Sequence, residues 1–115
     1  MEIKRGEIWI VNLNPTIGHE INKSRPALII QNDIGNKYSP TTIIAPITSQ
    51  NLDKIYPIEV LLTKDNSKLE KTSKVLLNQI RVVDKERIVK KRGRLDEETL
   101  FKVDTAIKIS LGLRF

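Results

Sequence analysis

The sequence predicts a mainly β fold: a small antiparallel barrel or sandwich accompanied by one C-terminal helix. Three observations lead there. Short segments rich in branched apolar residues recur from residue 7 to residue 77. No helical pattern of about 10 to 15 residues separates them, which argues against parallel βαβ units. One amphipathic stretch with start and stop signals follows near the end.

The first strand is "EIWIVNLN" (7–14), where Ile8, Ile10 and Leu13 stand among polar neighbours before "PTIG" breaks the run. "ALIIQ" (27–31) is apolar without alternation, the pattern of a strand covered on both faces. "QNDIGNKYSP" then supplies turn formers and leaves room for one helical turn. "TTIIAPI" (41–47), "IEVLL" (58–62) and "SKVLL" (73–77) complete the set, and the segments 48–57 and 63–72 read as loops.

The helix begins at Asp96. Its carboxylate can cap free N–H groups, Glu97 and Glu98 suit the positive end, and Leu95 and Leu100 hold the two positions of a hydrophobic staple. Leu100, Val103, Ala106, Ile107 and Ser110 or Leu111 keep to one stripe, which must be buried on the sheet or against another subunit, and Gly112 is a fitting stop.

A chain of 115 residues with 39% apolar composition suits one compact domain with its own core. No apolar stretch reaches the roughly 20 residues of a membrane span, and "MEIKRGEIWI" does not read as a signal peptide, so a cytoplasmic protein without a membrane partner is expected. Absent cysteines exclude disulfides, thiolate nucleophiles and sulfur-ligated metals, and His19 alone cannot supply a histidine metal set. The net charge of +6 is concentrated: "KERIVKKRGR" (85–94) holds six basic residues and one acidic, whereas residues 1–84 hold 11 basic and 9 acidic. Taken alone, that run fits either an attraction for polyanions or an edge strand whose lysines face water.

Polar residues collect beside the expected strand ends. Arg25 precedes the second strand; Thr48, Ser49, Gln50 and Asn51 follow the third; Thr16, His19 and Glu20 lie between the first and second; Asn78, Gln79 and Arg81 follow "KVLL". By themselves Thr48 and Ser49 read as turn formers. Asn78 and Gln79 suit backbone satisfaction in a tight corner as well as the reading of base edges. Trp9 reads as core or dimer packing, and five aromatic residues in all argue against a base-stacking platform.

"GEIWIVNLNPTIGHEINKSRPALIIQND", "APITSQ", "KVLLNQIRVVDKERI" and "LDEETLFKVDTAIKISLGL" together resemble the MazF/PemK (Kid) family of toxins, with the four blocks in family order from Gly6 to about Leu113. The resemblance implies one toxin domain over residues 1–115, an SH3-like antiparallel β-barrel of the CcdB/PemK type with a C-terminal helix, and a homodimer. It implies cleavage of single-stranded RNA, messenger RNA among it, at a short preferred sequence, without metal, cofactor or ribosome. It also implies a cognate MazE-like antitoxin whose C-terminal segment blocks the RNA groove. Catalysis falls to Arg25 and Thr48. RNA contacts fall among Thr16, Ile17, Glu20, Ser49, Gln50, Leu52, Asn78, Gln79 and Arg81.

The chemistry accounts for these residue types. In metal-free cleavage the ribose 2′-hydroxyl attacks phosphorus, leaving a 2′,3′-cyclic phosphate and a 5′-hydroxyl while negative charge grows on the equatorial oxygens. A guanidinium offers a rigid fork of donors to that charge, and a threonine hydroxyl adds another. An arginine is a poor proton acceptor near neutrality, so Arg25 is read as a stabiliser of charge and not as a base. Glu20 suits pairing with Lys23 or Arg25 as well as proton transfer, and a lone loop histidine such as His19, where the family more often has serine, is expected to contribute little. Ile17 and "SQNLDKIYP" also depart from the family pattern and are expected to shape base preference. Two rivals stand beside this reading. One is a noncatalytic nucleic-acid-binding barrel. The other is a gyrase-directed toxin of the CcdB type, disfavoured because the sequence closes on "SLGLRF" without a tryptophan motif.

Overall fold

A computed structural model describes residues 2–13 and 24–114. Through them run β1 (Glu7–Asn12), β2 (Ser24–Ile29), α1 (Asp33–Tyr38), β3 (Thr41–Thr48), β4 (Glu59–Leu62), α2 (Lys64–Ser67), β5 (Ser73–Leu76), β6 (Arg81–Asp84), β7 (Ile88–Arg94) and α3 (Glu97–Leu111), with a 3₁₀ turn at Lys85–Arg87. All strand pairs are antiparallel. The sheet runs β4-β5-β3-β2-β1-β7, with β6 on a branch from β3. The mainly antiparallel architecture with a C-terminal helix is thus as expected, but hydrogen-bonded pairing between described strands does not close the sheet into a complete barrel.

The fork lies in β3. Its first half pairs with β6 over Thr41–Ile44 and its last two residues pair with β5 over Ile47–Thr48. Both partners run antiparallel to β3, so β5 and β6 form one interrupted course, with the detour 77–80 between them. Ala45 and Pro46 fall in the gap between the two pairings, a place where a residue without an N–H does no harm.

Alternation distributes the strands between two cores. Ile8, Leu28, Ala45 and Ile47 join residues of β4, β5 and α3 in one cluster. Val11, Ala27, Ile29 and Ile44 join Val83 and Ile88 in the other. Both faces of β2 and β3 are therefore covered, which is why residues 27–30 are apolar without a break. Each fully buried leucine or isoleucine of this kind contributes roughly 1.5–3 kcal/mol relative to exposure.

Helix α3 forms as its signals indicate. The Asp96 side chain accepts from Thr99 N–H at 2.8 Å, and Gly112 closes the helix at φ 67°. Leu95, Val103 and Ala106 are buried in the first core, with Leu100 and Ile107 packed against it. Arg5 ties α3 to the sheet, donating to the Ile30 carbonyl at 2.8 Å and to Asp104 at 2.6 Å.

The segment 31–40 contains α1, capped by Asn32, and the expected loop 63–72 contains α2, closed by a reciprocal Thr63–Asn66 capping box. Strand β2 starts three residues earlier than the apolar run, because Ser24, Arg25 and Pro26 pair with Asn12, Val11 and Ile10. Strand β6 goes beyond those expected, and β7 falls within the run 85–94 for which an edge strand is one of two readings. β7 is the terminal strand of the sheet path, pairing with β1, and its lysines and arginines are mostly exposed, in keeping with the edge-strand reading of 85–94.

Candidate active site

Arg25 and Thr48 stand at the open end of the β2–β3 pair. The last paired residues there are Ala27 and Pro46. Arg25 and Thr48 each lie two residues beyond that last pair, so the register of β2 on β3 brings them to the same end of the two strands. Both line one cleft of about 560 Å³. Ile10, Pro26, Ser49 and Gln50 line it as well. Arg25 is half-buried on a strand whose next residues, Ala27, Leu28 and Ile29, are wholly buried. The backbone that carries the guanidinium is therefore anchored by the core, as a preorganised charge stabiliser requires of its support.

Thr48 is oriented by its own chain. Its hydroxyl oxygen accepts from Gln50 N–H at 3.2 Å. A hydroxyl has one donor and two acceptor sites, so this bond leaves the O–H free to donate elsewhere. The chain beyond Thr48 is pinned by Lys74, which sits opposite Thr48 in β5. Lys74 is buried, and its ammonium donates to the carbonyls of Asn51 at 2.9 Å and Lys54 at 3.3 Å and pairs with Glu59 at 3.0 Å. Glu59 in turn accepts from Tyr56 N–H at 3.0 Å. The segment carrying Ser49, Gln50 and Leu52 is thereby held at both ends, with Asn51 in the left-handed conformation at φ 55° that asparagine tolerates well.

The chain belongs to the PemK-like, MazF-like toxin family of type II toxin–antitoxin systems. The family model matches residues 4–111. Endoribonuclease EndoA of Bacillus subtilis is 44% identical over 113 residues, covering 98% of this chain and 97% of the relative. Among solved structures, MazF (Form-I) from Deinococcus radiodurans superposes with a TM-score of 0.84 at 26% identity, over 98% of this chain and 99% of that one. An endoribonuclease in complex with its cognate antitoxin from a mycobacterial species shares the fold, with a TM-score of 0.81 at 20% identity and 98% coverage of each chain.

The remaining positions suggested by the MazF/PemK resemblance divide into three groups. Ser49 and Gln50 line the cleft with Arg25 and Thr48. Leu52, Asn78, Gln79 and Arg81 stand outside its lining. Of these, Asn78 and Gln79 occupy the detour between β5 and β6, while Arg81 lies opposite Ile44 and donates to the Leu13 carbonyl at 3.5 Å. Thr16, Ile17 and Glu20, with His19, lie outside the described residues. Arg81 and Arg87, which donates to the Asn12 carbonyl at 3.1 Å, thus grip the chain just before that segment.

The cleft also holds Lys68 and Lys71 after α2, which the sequence does not mark out, and Arg92 of β7, which belongs to the basic run 85–94. Glu7, paired with Lys91 of β7, is a buried carboxylate with a structural role. Burial pushes its carboxyl up, but hydrogen bonds from Lys91, the Trp9 indole and Lys4 N–H outweigh that and hold it below the ordinary glutamate value. Among the described residues no cluster of three or more His, Cys, Asp or Glu side chains offers a metal site. No helix among them is long and apolar enough to cross a membrane.

Proposed function

We propose that this protein is a sequence-specific endoribonuclease toxin that cleaves single-stranded RNA without metal or ribosome and is restrained by a cognate antitoxin. The observation that carries the reading is the meeting of Arg25 and Thr48 in one cleft, in a chain 44% identical to an endoribonuclease over nearly its full length.

The reaction is an internal transesterification. The ribose 2′-oxygen bonds to phosphorus as its proton passes to solvent water, the bond from phosphorus to the 5′-oxygen breaks, and that oxygen takes a proton back from water. Arg25 meets the charge on the non-bridging oxygens with two parallel donors. Thr48, its oxygen already engaged by Gln50 N–H, directs its O–H at the same group. Such positioned donors each contribute about 10²–10³ in rate. Arg25 acts as a stabiliser of charge and not as a base.

Ser49, Gln50, Leu52, Asn78, Gln79 and Arg81, together with Thr16, Ile17 and Glu20, contact the RNA around the scissile group. Side-chain amides at 50, 78 and 79 suit the exposed edges of unpaired bases. The protein acts in the cytoplasm as a homodimer of one toxin domain per chain, and a MazE-like antitoxin segment competes with RNA for the cleft. The mycobacterial relative solved with its cognate antitoxin supports that partnership.

The test is to incubate the purified protein with a long natural transcript in excess EDTA and to map cut sites and end groups. Cuts at one short recurring word, with 2′,3′-cyclic phosphate and 5′-hydroxyl ends, are expected. An intact transcript that is nonetheless bound would make this a noncatalytic RNA-binding protein and refute the proposal.

A further inference from the structure

The cations at 68, 71 and 92 are placed by a junction between α2 and β7 that is built around Gly93. A Cβ on Gly93 would lie 2.3 Å from the Ser67 carbonyl oxygen, so the two backbones approach as closely as they do only because residue 93 has no side chain. Ser67 is wholly buried, and its hydroxyl bonds to the Thr63 carbonyl and accepts from Leu69 N–H at 3.2 Å. Lys68 is fixed at φ 67°, a left-handed conformation uncommon for a residue with a side chain, and Leu69 anchors the chain in the core. The capping box, the buried hydroxyl and Leu69 together hold Lys68 and Lys71 on a rigid shelf beside Arg92.

No described carboxylate pairs with the cations of that shelf, although Lys68 is near enough to Asp96 to help the Thr99 hydrogen bonds hold its carboxyl below the ordinary aspartate value. No ion pair with another described residue occupies Lys68, Lys71 or Arg92, whereas neighbouring Lys91 is paired with Glu7, Lys4 with Glu2 and Lys74 with Glu59. All three are exposed, and with Arg25 they give the cleft lining four cations against the single carboxylate of Glu70. Like charges gathered in a cleft repel one another and focus a positive field, an arrangement that a polyanion relieves.

We propose that Lys68, Lys71 and Arg92 form a phosphate-tracking wall that holds the RNA backbone next to the Arg25–Thr48 pair. The inference rests on the endoribonuclease reading and adds to it a binding site for the chain flanking the cut. Phosphate contacts position a nucleic acid without reading its sequence. The wall therefore sets affinity and its salt dependence, while the word cut is chosen elsewhere.

The test compares wild type with K68Q/K71Q/R92Q and with a control of equal charge change outside the cleft, K4Q/K37Q/K102Q. Binding of an RNA 2′-deoxy-substituted at the mapped cut site is followed by fluorescence anisotropy from low to high salt. Each lost phosphate contact on a single strand lowers the slope of log K against log[salt] by about 0.7, so the wall variant is expected to lose about 2 from the slope and the control almost nothing. The cleaved word should stay the same in both. Circular dichroism verifies folding, and R92Q alone, on an exposed strand position, is expected to lose about 0.7 from the slope. An unchanged slope in the folded wall variant or in R92Q overturns the inference even where wild type cuts RNA. So does a loss of affinity confined to an acidic antitoxin peptide, which would make the wall a protein-docking surface. Failure of wild type to cut RNA at all would instead refute the endoribonuclease reading.

Discussion

Replacing Lys74 by methionine should destabilise the protein and disorganise the cleft together. The ammonium lies 3.0 Å from the Glu59 carboxylate, with about nine-tenths or more of each side chain buried. At an effective dielectric of about 20, charges at that separation attract by roughly 5 kcal/mol before desolvation is counted. Methionine fills the stem but leaves Glu59 as a buried charge whose remaining described donor is Tyr56 N–H, and it strands the carbonyls of Asn51 and Lys54. Breaking a buried pair from one side costs about 3–5 kcal/mol, and the lower half of that range applies here because water can reach the loop carbonyls. The consequence is a fall in melting temperature on the order of 10 °C, read by circular dichroism. Because the same ammonium pins the segment after Thr48, RNA cleavage at a temperature where the variant is folded should fall as well. Changing Glu59 to leucine in the same chain removes the orphaned charge and should recover most of the stability without recovering cleavage. A loss below about 1 kcal/mol in the single variant would show that Lys74 is not the clamp described.

Three further outcomes are expected. Gly93→Ala should cost about 1–3 kcal/mol in chemical denaturation, since the new Cβ meets the Ser67 carbonyl and the shelf has to move; a neutral effect would show that the contact is slack. Glu7 has its carboxyl held below the ordinary value, so its stabilisation is fully present above the unfolded glutamate pKa and is lost as pH falls through the depressed folded value. Glu7→Gln should therefore be less stable than wild type at neutral pH and converge with it in acid, in denaturation measured across pH; a constant difference would remove Glu7 from the pH dependence. His19→Ala should leave the pH–rate profile of RNA cleavage unchanged, and loss of an inflection near neutrality would make His19 a proton-transfer group.

Much of the fold was legible because its signals are local. Asp96, Leu95 and Gly112 mark the ends of α3 through bonds and contacts made within a turn of the chain. The unbroken apolar run 27–30 registers a strand with a core on each face. β7 was legible only as one of two readings of its basic run, because "IVKKRGR" has little intrinsic β preference and is drawn into the sheet by pairing with β1, across two register shifts. The start of β2 was obscured in the same way, since Pro26 and Arg25 are extended through their partners Ile10 and Val11.

At the site, Arg25 and Thr48 were reached through resemblance; what brings them together physically is the β2–β3 register, a long-range property that no window of residues contains. Lys68 and Lys71 escaped notice, and Arg92 stood out only as one member of the basic run 85–94, because their meeting depends on α2 docking against β7. A signal was present in Gly93, a lone glycine inside a basic run, which in a strand marks a close backbone approach. Lys74, embedded in "SKVLL", gave no sign that it would be buried with three oxygen partners drawn from residues 51 to 59.

The central claim is that one guanidinium and one hydroxyl act on the same phosphoryl group, and a double-mutant cycle in cleavage rate addresses it most directly. Arg25→Ala and Thr48→Ala should each slow the chemical step by at least about 10², with folding and oligomeric state intact. The double variant should be little slower than the worse single variant, because residues that work as a unit are strongly non-additive. Two losses that simply multiply, or cutting that survives Arg25→Ala, would contradict the account.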